Sequence, residues 1–455
     1  MKRNIVWLAV LLCCNHISAQ QVLTLEECRN LAIQNNKELQ IAGEKIRAAG
    51  EERKAAVTKY FPQVSALGTY MRNQKNLNLV DFGQFGPAGE LIPGEIKKFL
   101  ELDIKDVWVG NVSLVQPVFM GGKIIAYNRI TQYAKELAES MNDTRLQDII
   151  YTTDETYWQV ISLINKKKLA DSYVDLLRKM DRDMQVMIAE GVATQADGLS
   201  VKVKLNEAEV AQTKVDNGLS LVRMLLAQIC GLPLDSEMKL ADENINAIPY
   251  SGASVNSGDL NEAFLNRPEL KSLDYAIKIY KKKETIALSE TLPNVAFMAN
   301  YIVTNPNLFN GFKNEFSGMW NLGLVVKVPL SGWFEGTFKR NSAKAETRIK
   351  QLEWENAREK IELQVNQSVY KVNEAGKKLE ASERNMENAE ENLRHANYGF
   401  EEGVIPALNL MAAQTAWFAA HSDLIDAQID MKLTEVYLNK SMGNLAVPEQ
   451  KSNNK

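Results

Sequence analysis

Four segments of the chain alternate apolar and polar residues, the pattern of half-exposed β-strands. In segment 318–329 the even-numbered positions from 320 on are apolar: Trp320, Leu322, Leu324, Val326 and Val328. Segment 107–118 has the same parity, and the shorter segments 64–71 and 295–303 precede these two. The sequence therefore predicts two strand pairs, 64–71 with 107–118 and 295–303 with 318–329.

The predicted strands have the dimensions of a membrane crossing. Each is about ten residues long, and a tilted strand crosses a bilayer in about 9–11 residues. Trp108 and Trp320 stand at the loop-side ends of their strands. Because Trp is enriched at membrane–water interfaces, we predict that both belong to an aromatic girdle.

Two much longer segments, 123–190 and 337–402, repeat apolar residues at steps of three and four, as in a coiled coil. A helix of such length extends about 100 Å at about 1.5 Å per residue. Each segment ends in Glu-Gly-Val, and helical sequence resumes at 197–230 and at 407–442. Glycine ends helices because it adopts the left-handed conformation at low cost. The sequence thus predicts two helical hairpins with tips at 190–194 and 402–406.

The two halves of the chain are related by an internal duplication. The matches are Pro62 and Tyr70 with Pro293 and Tyr301 at a spacing of 231, then Trp108, Pro117, Gly191 and Gly231 with Trp320, Pro329, Gly403 and Gly443 at 212. Repeat 1 covers 20–231, a linker 232–258, repeat 2 259–445 and a polar tail 446–455. Each repeat is expected to begin with one helix of about 35 residues, before its strand pair and hairpin.

The N-terminus has the pattern of a signal peptide covering 1–19, with two basic residues, a short apolar run and Ser-Ala before Gln20. The mature chain therefore leaves the cytoplasm. Lipidation at Cys13 or Cys14 is an alternative, although neither follows a small residue. Cys28 and Cys230 remain after cleavage; two buried free thiols are favoured, and a single bridge stays open.

Composition and motifs argue against several classes of function. A net charge of −4 without a Lys/Arg cluster argues against nucleic-acid binding. His395 and His421, the histidines beyond the signal peptide, lack metal-ligating neighbours at suitable spacing. No phosphate-binding loop, dinucleotide fingerprint, nucleophile elbow or HExxH motif is present. We expect no enzyme, no cofactor and no metal, so any energy that the protein's function needs must come from a partner.

Four strands are too few to close a barrel, since about eight is the minimum and lipid-exposed edges leave backbone groups unsatisfied. Strands must be pooled between copies, and three copies supply twelve. The fold class expected is an α+β membrane protein: a homotrimeric channel-tunnel with four strands per chain in a 12-stranded barrel, continued by long helical hairpins as an α-barrel.

The sequence resembles the TolC-like outer-membrane efflux protein family. The resemblance covers nearly the whole mature chain and rests on motifs in a fixed order: LTLEECRNLAIQNNKELQIAGEKI, the strand entries Tyr-Phe-Pro-Gln-Val and Leu-Pro-Asn-Val, the strand exits LVQPVFMGGK and VKVPLSGWFEG, and both Gly-Val tips. It implies a homotrimer in the outer membrane, in contact with its lipid and extending into the periplasm. It also implies a periplasmic adaptor protein and an inner-membrane pump as partners, in efflux or type I secretion.

The resemblance also assigns roles at the tips. It implies adaptor contacts at Gly191, Val192, Gly403 and Val404. The pore entrance would be lined at Asp197 and, in the second tip, at Asn409, where the family pattern has an acid. Three copies of Asp197 would favour cations, whereas the alternative is an acid that complements its helix dipole.

One alternative function is a structural periplasmic coiled-coil protein without a membrane barrel. It explains the helices and the signal peptide, but not two strand pairs of bilayer length. Drugs, metal ions, peptides and proteins all remain candidate cargoes, and the pump class and the resting state of the entrance remain open.

Overall fold

The computed structural model describes residues 22–99, 101–236, 238–245, 258–308, 310 and 313–445. The predicted signal peptide, most of the second half of the predicted linker and the polar tail lie outside these residues. The chain divides into two compact units. Unit 1 contains residues up to Lys45, Glu139–Ser272 and residues from Trp354 on, and unit 2 contains Ile46–Ala138 and Leu273–Glu353.

Eight helices and four strands form the framework of the described residues. In chain order they are α1 (Leu25–Asn35), α2 (Lys37–Val57), β1 (Gln63–Arg72), β2 (Asp106–Met120), α3 (Lys123–Ala189), α4 (Gln195–Cys230), α5 (Leu260–Asn266), α6 (Pro268–Ser289), β3 (Asn294–Asn305), β4 (Ser317–Lys327), α7 (Gly332–Glu401) and α8 (Ala407–Met442). Shorter elements are the strands Val22–Leu23 paired with Lys239–Leu240 and Leu77–Asn78 paired with Glu101–Leu102, the 3₁₀-helices Thr58–Tyr60 and Phe82–Phe85, and the short α-helices Pro87–Glu90 and Gly94–Phe99.

The duplication is visible in the helices. α4 and α8 both contain 36 residues. Each ends at a glycine in the left-handed conformation, Gly231 with φ of 69° and Gly443 with φ of 74°. The long helices α3 and α7 contain 67 and 70 residues. Within the described ranges, no helix combines the length and the apolarity that a bilayer crossing demands.

The first helix of each repeat is interrupted where the sequence predicts continuity, at Asn36 in repeat 1 and at Arg267 in repeat 2. Thr24 and Glu27 form a capping box at the start of α1. At Asn36 the backbone leaves the helix with a ψ of 126°, and the Asn36 side chain accepts a hydrogen bond from the Glu38 N–H at 2.8 Å. The prediction of one helix is wrong here because an Asn side chain offers the backbone an alternative to helical hydrogen bonds.

The start of α7 also differs from the sequence prediction, which begins the helix at 337. The observed helix starts at Gly332 and includes Gly336. A Cβ on Gly336 would lie 2.0 Å from Cγ2 of Thr291, so the glycine permits close packing. The helix therefore begins five residues earlier than predicted, and Gly336 is a contact point within it.

Unit 2 contains a four-stranded antiparallel sheet in the order β1-β2-β3-β4. The strands match the predicted segments, except that β4 ends at Lys327, two residues before Pro329. In the part of the chain that the structure describes, β1 pairs only with β2 and β4 only with β3. Both outer strands therefore present unpaired backbone edges.

A buried ion pair anchors α1 against α3 in unit 1. Arg29 donates from Nε to Asp154 Oδ1 at 2.6 Å and from Nη2 to Oδ2 at 2.5 Å. The Asp154 side chain is fully buried. Burial raises the pKa of the Asp154 carboxyl, and the Arg29 guanidinium opposes that rise. Arg29 therefore neutralises a carboxylate that the core would otherwise hold unpaired.

We predict that Arg29→Ala lowers the free energy of local opening of α1 by about 3–5 kcal/mol, because it leaves a buried charge without a partner. Without Arg29 the pKa of Asp154 rises further, so the folded protein binds a proton more readily than the unfolded chain. The loss should therefore shrink as the pH is lowered. Amide hydrogen exchange of α1 at two pH values measures both effects.

The matched control is Arg178→Ala, which removes an exposed pair with Glu209 at 2.8 Å. We expect Arg178→Ala to lower the free energy of local opening by less than about 1 kcal/mol. Equal losses in the two variants would contradict a special role for the buried pair.

Candidate functional site

One face of the sheet is apolar across all four strands. Tyr301 pairs with Val112 on one side and with Trp320 on the other, so alternate residues of neighbouring strands share this face. On the edge strand β4, Trp320 is 70% exposed and Leu324 68% exposed. Large apolar side chains in such a continuous exposed patch indicate an apolar surrounding or a partner.

Four aromatic residues stand on this apolar face near one end of the sheet. They are Tyr70, Trp108, Tyr301 and Trp320. The rings of Tyr70 and Trp108 lie 4.5 Å apart between centroids, and Tyr301 is directly opposite Trp320. This end carries the loops from β1 to β2 and from β3 to β4. Both girdle tryptophans predicted from the sequence thus share a face and an end of the sheet.

Sequence reasoning did not include Tyr70 and Tyr301 in this aromatic group. Antiparallel pairing puts each of them opposite one of the tryptophans. The signal was available in the repeat itself, because Tyr70 and Tyr301 occupy matching positions in the two halves.

The opposite face carries a row of short polar side chains, here called the polar belt: Ser65, Ser113, Asn300 and Asn321. The hydroxyls of Ser65 and Ser113 lie 2.8 Å apart, and Asn300 donates to Asn321 at 2.8 Å. Ser113 pairs with Asn300 in the register, so the belt crosses the sheet from edge to edge. The sheet therefore has one apolar face and one uncharged polar belt.

The two hairpin tips in unit 1 have the same backbone geometry. Gly191 and Gly403 have φ of 75° and 70°, in the left-handed region. The N–H groups of Val192 and Val404 each donate at 2.8 Å to a carbonyl five residues earlier, as in a Schellman motif. Val192 and Val404 are 72% and 77% exposed. Each tip therefore projects one valine from a rigid turn.

Both tips rest on one shared core. Met180 and Met184 of the first hairpin pack in the same buried cluster as Leu410 and Met411 of the second. Ile188 and Ile405, close to the two turns, pack against this cluster. The tips are thus held side by side within a single chain.

The helices that follow the tips begin differently. Thr194 and Asp197 form a capping box at the start of α4, with Thr194 N–H and hydroxyl donating to Asp197 Oδ2 at 3.0 and 2.6 Å. These hydrogen bonds hold the pKa of Asp197 below its ordinary value. The N-cap of α8 is Pro406, which provides no side-chain hydrogen bond, and Asn409 is exposed. Only the first tip therefore has an acid fixed by its own helix start.

Each of the two histidines contacts a side chain of its own helix. His395 lies 2.9 Å from Glu391 on the same helix, and the His421 ring stands edge to face against Trp417 at 5.5 Å. In the described ranges, no three His, Cys, Asp or Glu side chains are grouped so as to hold a metal.

Solved outer-membrane channels have the same fold. The chain superposes on VceC of Vibrio cholerae with a TM-score of 0.74 at 14% identity, covering 92% of this chain and 96% of that one. For CmeC of Campylobacter jejuni the TM-score is 0.74 at 13% identity, covering 94% of this chain and 87% of that one. For the open state of MtrE of Neisseria gonorrhoeae the TM-score is 0.72 at 16% identity, covering 94% of this chain and 90% of that one. The fold is therefore that of the channel-tunnels.

The family follows from the sequence match. The model of the outer membrane efflux protein family matches residues 28–231 and 260–444, which cover most of both repeats. No curated protein matches the chain. The chain belongs to the outer membrane efflux protein family, and it is an outer-membrane protein that extends into the periplasm.

We predict that Gly191→Ala and Gly403→Ala each weaken their tip by about 1–2 kcal/mol, the cost of a left-handed non-glycine residue. No atom lies within 4 Å of a Cβ at either position, so the hairpins should stay folded. Hydrogen exchange of the Val192 and Val404 amides measures the loss, which should be the same at both tips.

Gly376→Ala is the matched control, since Gly376 lies within α7 and also has free space around a Cβ. There the substitution should stabilise the helix by about 0.5–1 kcal/mol. A loss at one tip only would show that the two turns are not equivalent.

Proposed function

We propose that the protein is the outer-membrane exit duct of a tripartite efflux or type I secretion system. It acts as a passive homotrimeric channel without catalytic activity, docked to a periplasmic adaptor and an inner-membrane pump. The observation that carries the proposal is the sheet, with an apolar face, a polar belt and two unpaired edges.

The unpaired edges of β1 and β4 support a homotrimer. A sheet edge in lipid leaves its N–H and C=O groups without partners, at a cost of several kcal/mol per group. Pairing β4 of one copy with β1 of the next satisfies both edges with the same contact. Three copies then form a closed barrel of twelve strands. The apolar face meets lipid and the polar belt lines the lumen.

The twin tips support docking to an adaptor. Val192 and Val404 are exposed apolar residues on turns that a shared core fixes side by side. Glycine at 191 and 403 leaves the backbone beside each valine uncovered, as close approach of a partner helix requires. We assign the adaptor contact to Gly191, Val192, Gly403 and Val404.

We assign the pore entrance to Asp197 and Asn409, the third residues of α4 and α8. In a trimer, three copies of Asp197 add negative charge to the entrance, which favours cations. The capping box keeps this carboxylate ionised, because its hydrogen bonds favour the charged form. Both roles of Asp197, helix cap and entrance charge, are therefore compatible.

The polar belt supports a duct that does not select its cargo. Ser and Asn side chains offer hydrogen bonds without charge and are already paired with one another. Such a surface makes weak contacts with many solutes, so selection falls to the pump. A structural periplasmic protein would have no use for a sheet with these two faces.

Leu324→Arg tests the lipid contact. An Arg on the lipid face of a barrel costs about 2–4 kcal/mol at the bilayer midplane. We expect this variant to lose most of the trimer that wild-type outer membranes yield on a denaturing gel without boiling. A wild-type protein that is a stable monomer in detergent would overturn the trimeric channel.

The matched control is Asn321→Arg, on the same strand but on the opposite face. Because this residue belongs to the polar belt, we expect its trimer yield to stay close to wild type. Equal loss in both variants would contradict the assignment of the two faces.

Asp197→Asn tests the entrance. The amide oxygen can still accept the Thr194 hydrogen bonds, so the tip should stay folded while the charge is lost. We expect lower cation selectivity in single-channel recordings. Asn409→Asp adds an acid at the matching position of the second tip, and we expect it to raise cation selectivity. Unchanged selectivity in both variants would rule out an entrance role for these positions.

A further inference from the structure

Two cysteines from distant parts of repeat 1 meet in the core of unit 1. Cys28 lies in the first turn of α1, and Cys230 is the last residue of α4. Both are fully buried and belong to one hydrophobic cluster. The Cys230 thiol lies 3.6 Å from the carbonyl oxygen of Cys28. The pair therefore joins segments that lie 202 residues apart in the chain.

Both cysteines are buried free thiols in this structure, as favoured from the sequence, and they are close neighbours. A hydrogen bond between the two thiols, followed by burial, raises the pKa of Cys28 above its ordinary value. A disulfide requires the two sulfur atoms to approach to about 2 Å, and the shared hydrophobic cluster holds both side chains in the same part of the core.

The backbone around the pair is closely fixed. Asn35, at the end of α1, donates from Nδ2 to the carbonyl of Cys230 at 3.1 Å. A Cβ on Gly231 would lie 2.4 Å from the Cβ of Asn35, so the ends of α1 and α4 pack without a gap. These contacts hold the two helices in place whether or not the sulfur atoms are bonded.

Repeat 2 has no such pair. The residues that match Cys28 and Cys230 are Asp259 and Met442. A Cβ on Gly258 would lie 3.2 Å from the sulfur of Met442. The thioether of Met442 therefore fills the corresponding region of the second repeat. Packing at this position therefore does not require cysteine, and the paired thiols of repeat 1 call for a separate explanation.

We propose that Cys28 and Cys230 form an intramolecular disulfide in the mature protein. A protein of the outer membrane folds in the periplasm, an oxidising compartment. An oxidised dithiol protein acts as the disulfide donor. One cysteine thiolate attacks the donor disulfide and forms a mixed disulfide, and the second cysteine displaces the donor. The two cysteines lose two protons and two electrons, and the donor leaves as a dithiol.

The burial of both thiols determines when the reaction can occur. Neither sulfur atom is accessible to a donor protein in the folded chain. The bond must therefore form while α1 and α4 are still docking, and the folded protein should resist both oxidation and reduction.

The test uses full-length protein from outer membranes, quenched in acid and denatured before labelling with polyethylene-glycol maleimide. We expect the wild type to gain two more labels after reduction than before it. Cys28→Ser should gain a label at Cys230 without reductant, and Cys230→Ser should gain one at Cys28. Labels on an uncleaved signal peptide are the same in all variants and cancel in the comparison.

A tryptic digest without reductant should contain one joined peptide with both cysteines, which separates on reduction. If wild-type protein carried maleimide labels on both Cys28 and Cys230 without reductant, the proposal would be overturned. A reductant-sensitive dimer on a denaturing gel would overturn it as well, because the bond would then join two chains. Neither result depends on whether the protein is a trimer or conducts ions.

Discussion

The need to pair every backbone N–H and C=O group within the membrane constrains this protein most strongly. The chain contributes a sheet of four strands with open edges at β1 and β4. In water such edges invite aggregation, and in lipid they are too costly to leave open. A single copy cannot pair these edges by itself, which is the physical reason for proposing a trimer. The exposed apolar face and the polar belt are then properties of one wall of a larger structure.

The duplication provides two copies of each framework helix and strand, and the differences between copies are informative. The Schellman turns at Gly191 and Gly403 are alike, which suggests that both are under the same demand. The helix starts behind them are not alike, since a capping box with Asp197 contrasts with Pro406. The paired cysteines also occur in one repeat only. The two halves thus share a backbone arrangement but differ in the side chains at their helix starts and at the cysteine pair.

Much of this architecture could be predicted from the sequence because its periods are long and regular. The alternation around Trp320 and the shared spacing of the repeats located the four strands of the main sheet and both tips, but not the two short strand pairs outside it. Local reasoning failed where a side chain competes with the backbone, as at Asn36, or where a glycine serves a tertiary contact, as at Gly336. The polar belt was also beyond local reasoning. It depends on the register of three strand pairs, which no single strand encodes.

The equal length of α4 and α8 has a consequence for how such a protein can change over evolution. Each residue added to a helix advances its end by about 1.5 Å and turns it by about 100°. Because both tips share the cluster around Met184 and Met411, an insertion in one hairpin alone would pull its tip out of that common core. The two hairpins therefore keep their shared core only if they lengthen together, by a number of residues that returns each apolar face to its place. The distance from the base of a hairpin to its tip can therefore change only in discrete steps, and both repeats must change by the same step.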